Sequence, residues 1–172
     1  MFARFGSKQY GEDVSLERHM LQSAVAAQKL GASDAVVVAA LLHDIGYFVY
    51  PESETSIEEG RNTEHEALGA AWLSQSFGEE ITAPVALHVE AKRYLCAVEP
   101  GYFDRLSDAS RASLMVQGGI MNAREVAAFA KQPGFEAAII LRRADDVGKD
   151  IALETPPLEH FRGLLTAALR KP

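Results

Sequence analysis

The sequence predicts an all-α domain, a helical bundle built around a polar interior site. Apolar residues recur at helical spacing between recognisable caps and breakers, and no stretch shows the strict alternation that a half-buried strand requires. Four of the five histidines also fall one to each of four successive predicted helices. A chain of 172 residues, 48% hydrophobic, suits one domain with a substantial core. That domain is expected over 1–172, with an N-terminal flap segment at 1–14 and a C-terminal helix within 151–172.

The elements follow in order. Residues 1–13 lack periodicity and contain Gly6 and Gly11, which reads as an irregular lead-in. Ser15 caps a helix to about Leu30, in which Leu16, Met20, Ala24 and Ala27 form one stripe with His19 beside it. Ser33 caps a second helix whose run 35–42 is apolar on every side and therefore buried. His43 and Asp44 stand at its end, where Gly46 is expected to stop it. Residues 48–63 turn polar and acidic, with Pro51, Gly60 and Asn62, as a loop or lid does.

A third helix is expected over 63–77, carrying His65 in its first turn and Trp72 toward the core. Pro84 opens a fourth over 85–95, carrying His88 and, one turn later, Lys92. Residues 99–105 read as a turn and 107–116 as a helix broken by Gly118 and Gly119. Asn122 with Glu125 begins a capping-box helix to about Lys131. Pro133 and Gly134 precede a helix over 135–149. Pro156 and Pro157 open the last one, 158–170, on which His160 faces solvent.

Bulk properties exclude several classes. A net charge of −7 opposes sequence-independent nucleic-acid binding, which needs a basic surface. The single cysteine, Cys96, forbids an intrachain disulfide and fits a reducing compartment. No apolar run reaches membrane-spanning length and the N-terminus lacks a signal-peptide core, so a cytoplasmic location is expected.

An imidazole and a carboxylate side by side at the end of a buried helix are costly unless paired. The successive separations His19–His43, His43–His65 and His65–His88 are 24, 22 and 23 residues, one helix plus one connection each. A bundle returning after each unit brings all four rings to one level, where they can bind metal. Four imidazoles and Asp44 exceed one tetrahedral ion and point to two metals bridged by Asp44. Asp145 or Asp146 would supply a second carboxylate.

In this order His19, His43-Asp44, His65, His88 and Asp145 resemble the ligand set of the HD-domain superfamily in its two-metal form. The stretches YGEDVSLERH, HVEAK, LSDASRASLMVQGG and LRRADDVGK are similar to the HD-domain mixed-valence diiron oxygenases. Those enzymes, of the PhnZ and TmpB type, cleave the carbon–phosphorus bond of 1-hydroxyphosphonates, and inositol oxygenase is a distant relative. The likeness covers residues 9–150.

The resemblance implies two Fe ions, cycling as Fe(II)/Fe(III), with O2 as cosubstrate. One iron would be held by His19, His43, Asp44 and Asp145, the other by His65, His88 and Asp44. Asp145 is preferred to Asp146 because the family places a lysine four residues after its ligand, and Lys149 fits. Lys92, Ser110, Gln117 and Arg142 would bind the phosphonate. Glu12 matches a family glutamate on a flap over the metals. Tyr10 is the candidate to fill the open iron position, although Gln9 holds the place of the family tyrosine.

Where the aminophosphonate enzyme of the family has histidine, this chain has Tyr47. An aromatic face recognises a quaternary ammonium that cannot donate hydrogen bonds. The implied substrate is therefore (R)-1-hydroxy-2-(trimethylammonio)ethylphosphonate, cleaved to glycine betaine and phosphate, ahead of 2-amino-1-hydroxyethylphosphonate, cleaved to glycine. An upstream hydroxylase would supply it, a functional rather than physical partner. A metal-dependent phosphohydrolase and a non-catalytic metal-binding module are the rival readings.

Overall fold

The computed structural model describes residues 2, 6–7, 13–50 and 62–170, and these are helical without a strand, as the pattern predicts. The helices are α1 (Leu16–Lys29), α2 (Asp34–Leu42), α3 (Gly46–Val49), α4 (His65–Leu73) and α5 (Glu79–Val98). They continue as α6 (Tyr102–Arg105), α7 (Asp108–Val116), α8 (Ala123–Phe129) and α9 (Phe135–Val147). A 3-10 turn (Leu158–Phe161) leads into α10 (Arg162–Ala168). The caps read from the sequence operate: Ser15, Ser33, Ser107 and Asn122 each accept a backbone N–H of their helix's first turn, and Asn122 with Glu125 closes a full capping box.

Helix α2 is the hub. Val36 to Leu42 are all buried, and α1, α5 and α9 pack around it. Leu16, Met20, Leu41, Leu73, Ile81, Val85, Leu141 and Phe161 fill the main core. The chain closes beside α4, where the Arg170 N–H donates to the Ser76 carbonyl at 2.8 Å and Phe77 bridges Leu169.

Four expectations are corrected. Gly46 does not stop a helix in a left-handed cap; α2 ends at Leu42 and Gly46 opens α3. Glycine is required there by close approach, because a Cβ at Gly46 would lie 2.1 Å from the His65 carbonyl oxygen. Gly46→Ala should therefore cost about 3 kcal/mol or more of stability, read in urea unfolding, since backbone rather than a flexible side chain must give way.

Pro84 lies inside α5, which starts five residues earlier at Glu79. The carbonyl that loses its donor belongs to exposed Glu80. The third helix is shorter than expected, beginning at His65 after a left-handed Glu64 and ending at Leu73. Trp72 is 36% exposed rather than core, because α4 buries Gly69, Ala70 and Leu73. His160 is exposed, as expected. Most of the expected lid, residues 51–61, lies outside the described residues.

Candidate metal centre

Each of the four histidines is buried, and three are aimed by a backbone carbonyl. His19 Nδ1 bonds the Gly148 carbonyl at 2.8 Å, His43 Nδ1 that of Ala40 at 2.8 Å, and His88 Nδ1 that of Val85 at 2.7 Å. A carbonyl only accepts, so in each neutral ring Nδ1 carries the proton and Nε2 is bare. Gly148 permits the first of these contacts, since a Cβ there would meet Ser23 Oγ at 2.5 Å and His19 Nδ1 at 3.2 Å.

The Nε2 atoms meet in pairs, His19 with His43 at 3.1 Å and His65 with His88 at 3.3 Å. Bare lone pairs at that distance repel unless a cation lies between them. Two nitrogens bound to one ion at about 2.1 Å and a right angle stand about 3 Å apart. The donor set therefore fits a transition metal, as imidazole and carboxylate suit iron, zinc or manganese.

Asp44 stands between the pairs. Its Oδ2 lies 3.4 Å from His43 Nε2 and 3.6 Å from His19 Nε2, and its Oδ1 lies 3.3 Å from His65 Nε2 and 3.8 Å from His88 Nε2. Asp145 Oδ1 sits 3.2 Å from His19 Nε2 and 3.9 Å from His43 Nε2. Among the described residues, two groups have spacing suited to an ion: His19, His43 and Asp145, and His43, Asp44 and His88. Without metal the charges fall unevenly. Burial opposes charging His43, but Asp44 and Asp145 outweigh it and raise its pKa to about 9. Burial, then the charges of His43 and His65, lower His88 to about 3, leaving it a neutral donor. Burial works against the Asp44 carboxylate, yet His43 and His65 hold it well below the usual range.

Beside this cluster lies a buried group of cations and hydroxyls. Lys92, 2% exposed, donates to Ser113 Oγ at 2.7 Å, to Gln117 Oε1 at 2.6 Å and to the Ser110 carbonyl at 3.4 Å. Lys149 donates to Ser110 Oγ at 2.7 Å and Ser107 Oγ at 3.2 Å. Burial, then the charges of Arg142 and Lys149, lower Lys92 to about 7, opposed in part by Asp145 and Asp146. Arg142 joins the two regions: Nη1 donates to Asp145 Oδ2 at 2.7 Å, while Nε donates to Asp146 Oδ1 at 3.0 Å and to the Tyr102 hydroxyl at 3.2 Å. Asp146 thus faces Arg142 and Tyr102, away from the histidines, and it is Asp145 that turns inward.

The structure brings His19, His43, Asp44, His65, His88, Asp145, Lys92, Ser110, Gln117 and Arg142 into this one region. Tyr10 and Glu12 lie outside the described residues. Tyr47 is buried and stacks on His65, ring centroids 4.4 Å apart and 16° from parallel, with its hydroxyl bonded to Thr63. Sequence reasoning passed over Ser113, Tyr102, Thr63 and Glu66 as site residues. Ser113 could have been found, since it falls between Ser110 and Gln117 at helical spacing. Thr63 and Glu66 flank His65 in the chain, and Tyr102 is placed by a tertiary contact with Arg142. No described helix is long and apolar enough to cross a membrane.

Comparison with known proteins agrees with this architecture. The HD domain family matches residues 16–148. The chain is 44% identical over 172 residues to the [1-hydroxy-2-(trimethylamino)ethyl]phosphonate dioxygenase (glycine-betaine-forming) of Leisingera caerulea, covering 99% of this chain and 88% of that one. It is 41% identical over 157 residues to the hydroxymethylphosphonate dioxygenase of Gimesia maris, covering 91% and 78%. An uncharacterized protein of Acanthamoeba polyphaga mimivirus is 32% identical over 169 residues, covering 96% and 77%. With most of its length matched to both the family and these enzymes, the chain belongs to the HD-domain family, in the oxygenase branch that the first two relatives represent.

Proposed function

We propose that the protein is a two-iron oxygenase that cleaves the carbon–phosphorus bond of (R)-1-hydroxy-2-(trimethylammonio)ethylphosphonate, consuming O2 and releasing glycine betaine and phosphate. The observation that supports this reading is the Arg142–Asp145 contact at 2.7 Å, which brings a buried cation against the metal donors. A phosphonate held there would have its carbinol carbon at the metals. His19, His43, Asp44 and Asp145 would hold one iron; His65, His88 and Asp44 the other. The irons would supply the one-electron and oxygen chemistry.

The protein's own residues hold and orient. Lys92 and Arg142 neutralise the phosphonate, Ser110 and Gln117 complete its hydrogen bonds, and Lys149 holds the Ser110 hydroxyl in place. Asp146 and Tyr102 fix the Arg142 guanidinium by its far edge, so its remaining N–H groups are oriented before substrate arrives. Tyr47, buried and stacked on His65, is the aromatic residue assigned to the trimethylammonium. Glu12 and Tyr10 are the further site candidates that the family resemblance supplies.

The test is oxygen uptake with the trimethylammonio, amino and unsubstituted 1-hydroxyphosphonates. The trimethylammonio compound should give the highest kcat/KM, with one phosphate released per O2. Replacing His65 with alanine should lower iron to about one per chain and abolish turnover. Phosphate release from nucleotides without oxygen uptake would instead make the protein a phosphohydrolase.

A further inference from the structure

Among the four histidines, His65 alone is not aimed by a backbone carbonyl in the contacts described. Its Nδ1 faces Thr63 Oγ1 at 3.2 Å and the carboxylate Oε2 of Glu66 at 3.3 Å. That Glu66 oxygen is buried and has no hydrogen-bond partner. An unpaired buried carboxylate oxygen is costly and calls for an explanation. Its neighbours supply one, because Thr63 is bonded to Tyr47, whose ring stacks on His65. Tyr47, Thr63 and Glu66 together hold the rear edge and one face of this ring.

We propose that Glu66 is a positioning residue for His65: its carboxylate stands 3.3 Å behind Nδ1, while Thr63 Oγ1 holds the hydrogen bond to that nitrogen, and its charge at the rear of the ring favours the tautomer that presents Nε2 and tightens the hold of His65 on its metal. A carboxylate behind an imidazole makes the ring a stronger donor than a neutral carbonyl does. The two metal positions are thereby made unequal, since in the contacts described His19, His43 and His88 have backbone carbonyls behind them. The inference rests on the two-metal reading above, with His65 as a ligand.

The experiment counts metal per chain under graded chelator competition, for wild type, E66Q, E66A, E64Q and H65A loaded anaerobically with Fe(II). E66A should release one of its two metals at about 10- to 100-fold lower chelator concentration, E66Q should fall between it and wild type, and the second metal should be unchanged. E64Q removes a neighbouring exposed carboxylate and should match wild type. Nitrogen-15 spectra of the histidines in the Zn(II)-loaded protein should show the His65 Nδ1–H signal moving upfield in E66Q, a readout that general destabilisation would not produce. Should E66A not fold, E66Q and that signal decide. Wild-type affinity for both metals with an unmoved signal overturns the proposal, as does equal weakening of both. Retention of both metals by H65A would sink the two-metal reading beneath it, a distinguishable failure.

Discussion

Replacing Asp44 with alanine should leave a chain that retains less than one metal and shows no turnover above background. Asp44 presents one oxygen to each histidine pair, 3.4 Å from His43 and 3.3 Å from His65, so its loss touches both positions at once. Metal analysis with oxygen uptake checks this, and full metal content in D44A would defeat the bridging role. The metal-free protein offers a second readout. His43 has a folded pKa of about 9, above its ordinary 6.5, so its interaction with Asp44 stabilises fully below pH 6.5 and is lost as pH rises through 9. That window corresponds to about 3 kcal/mol. His88, lowered to about 3, acts oppositely: the metal-free fold weakens as pH falls from 6.5 toward 3. The two histidine contributions are together greatest near pH 6.5, and because D44A keeps Lys92, the stability difference between wild type and D44A should shrink as pH rises from 6.5 through 9.

Lys92→Ala should cost about 2–5 kcal/mol of transition-state binding, roughly 30- to 5,000-fold in kcat/KM, because a buried charge facing the phosphonate is removed. Its pH dependence is more specific. With Lys92 lowered to about 7, most of the free enzyme carries a neutral amine at pH 8, and the phosphonate must bind with a proton. The kcat/KM of wild type should fall above pH 7 with a slope of minus one. In K92R the guanidinium stays charged and that limb should vanish. A shared limb in both proteins would assign it to another group. For stability the sign reverses: an unfolded lysine keeps its proton to about 10.5, so Lys92 destabilises at neutral pH and that cost eases between 7 and 10.5.

Helix existence was legible because caps and apolar spacing act locally. Ser15, Ser33, Ser107 and Asn122 bond within three residues of themselves, so neighbouring sequence contains the whole interaction. Helix boundaries were less legible where the deciding contact is distant. Gly46 reads as a helix stop, but its reason is the His65 carbonyl on another helix. Pro84 reads as a helix start, yet burial of Ile81 and Thr82 extends α5 back to Glu79. The apolar Trp72 reads as core, but α4 turns that side chain outward.

The sequence by itself determined the donors: four histidines at one-helix intervals, an aspartate behind the second, and basic residues a turn from two ligands. Residue type and helical period carry that information, because both are local. Only the tertiary structure decided which Asp turns inward and that Asp44 divides its oxygens between two pairs. Those choices depend on the meeting of α2, α4, α5 and α9, since a side chain's partner across a bundle is set by packing and not by its place in the chain.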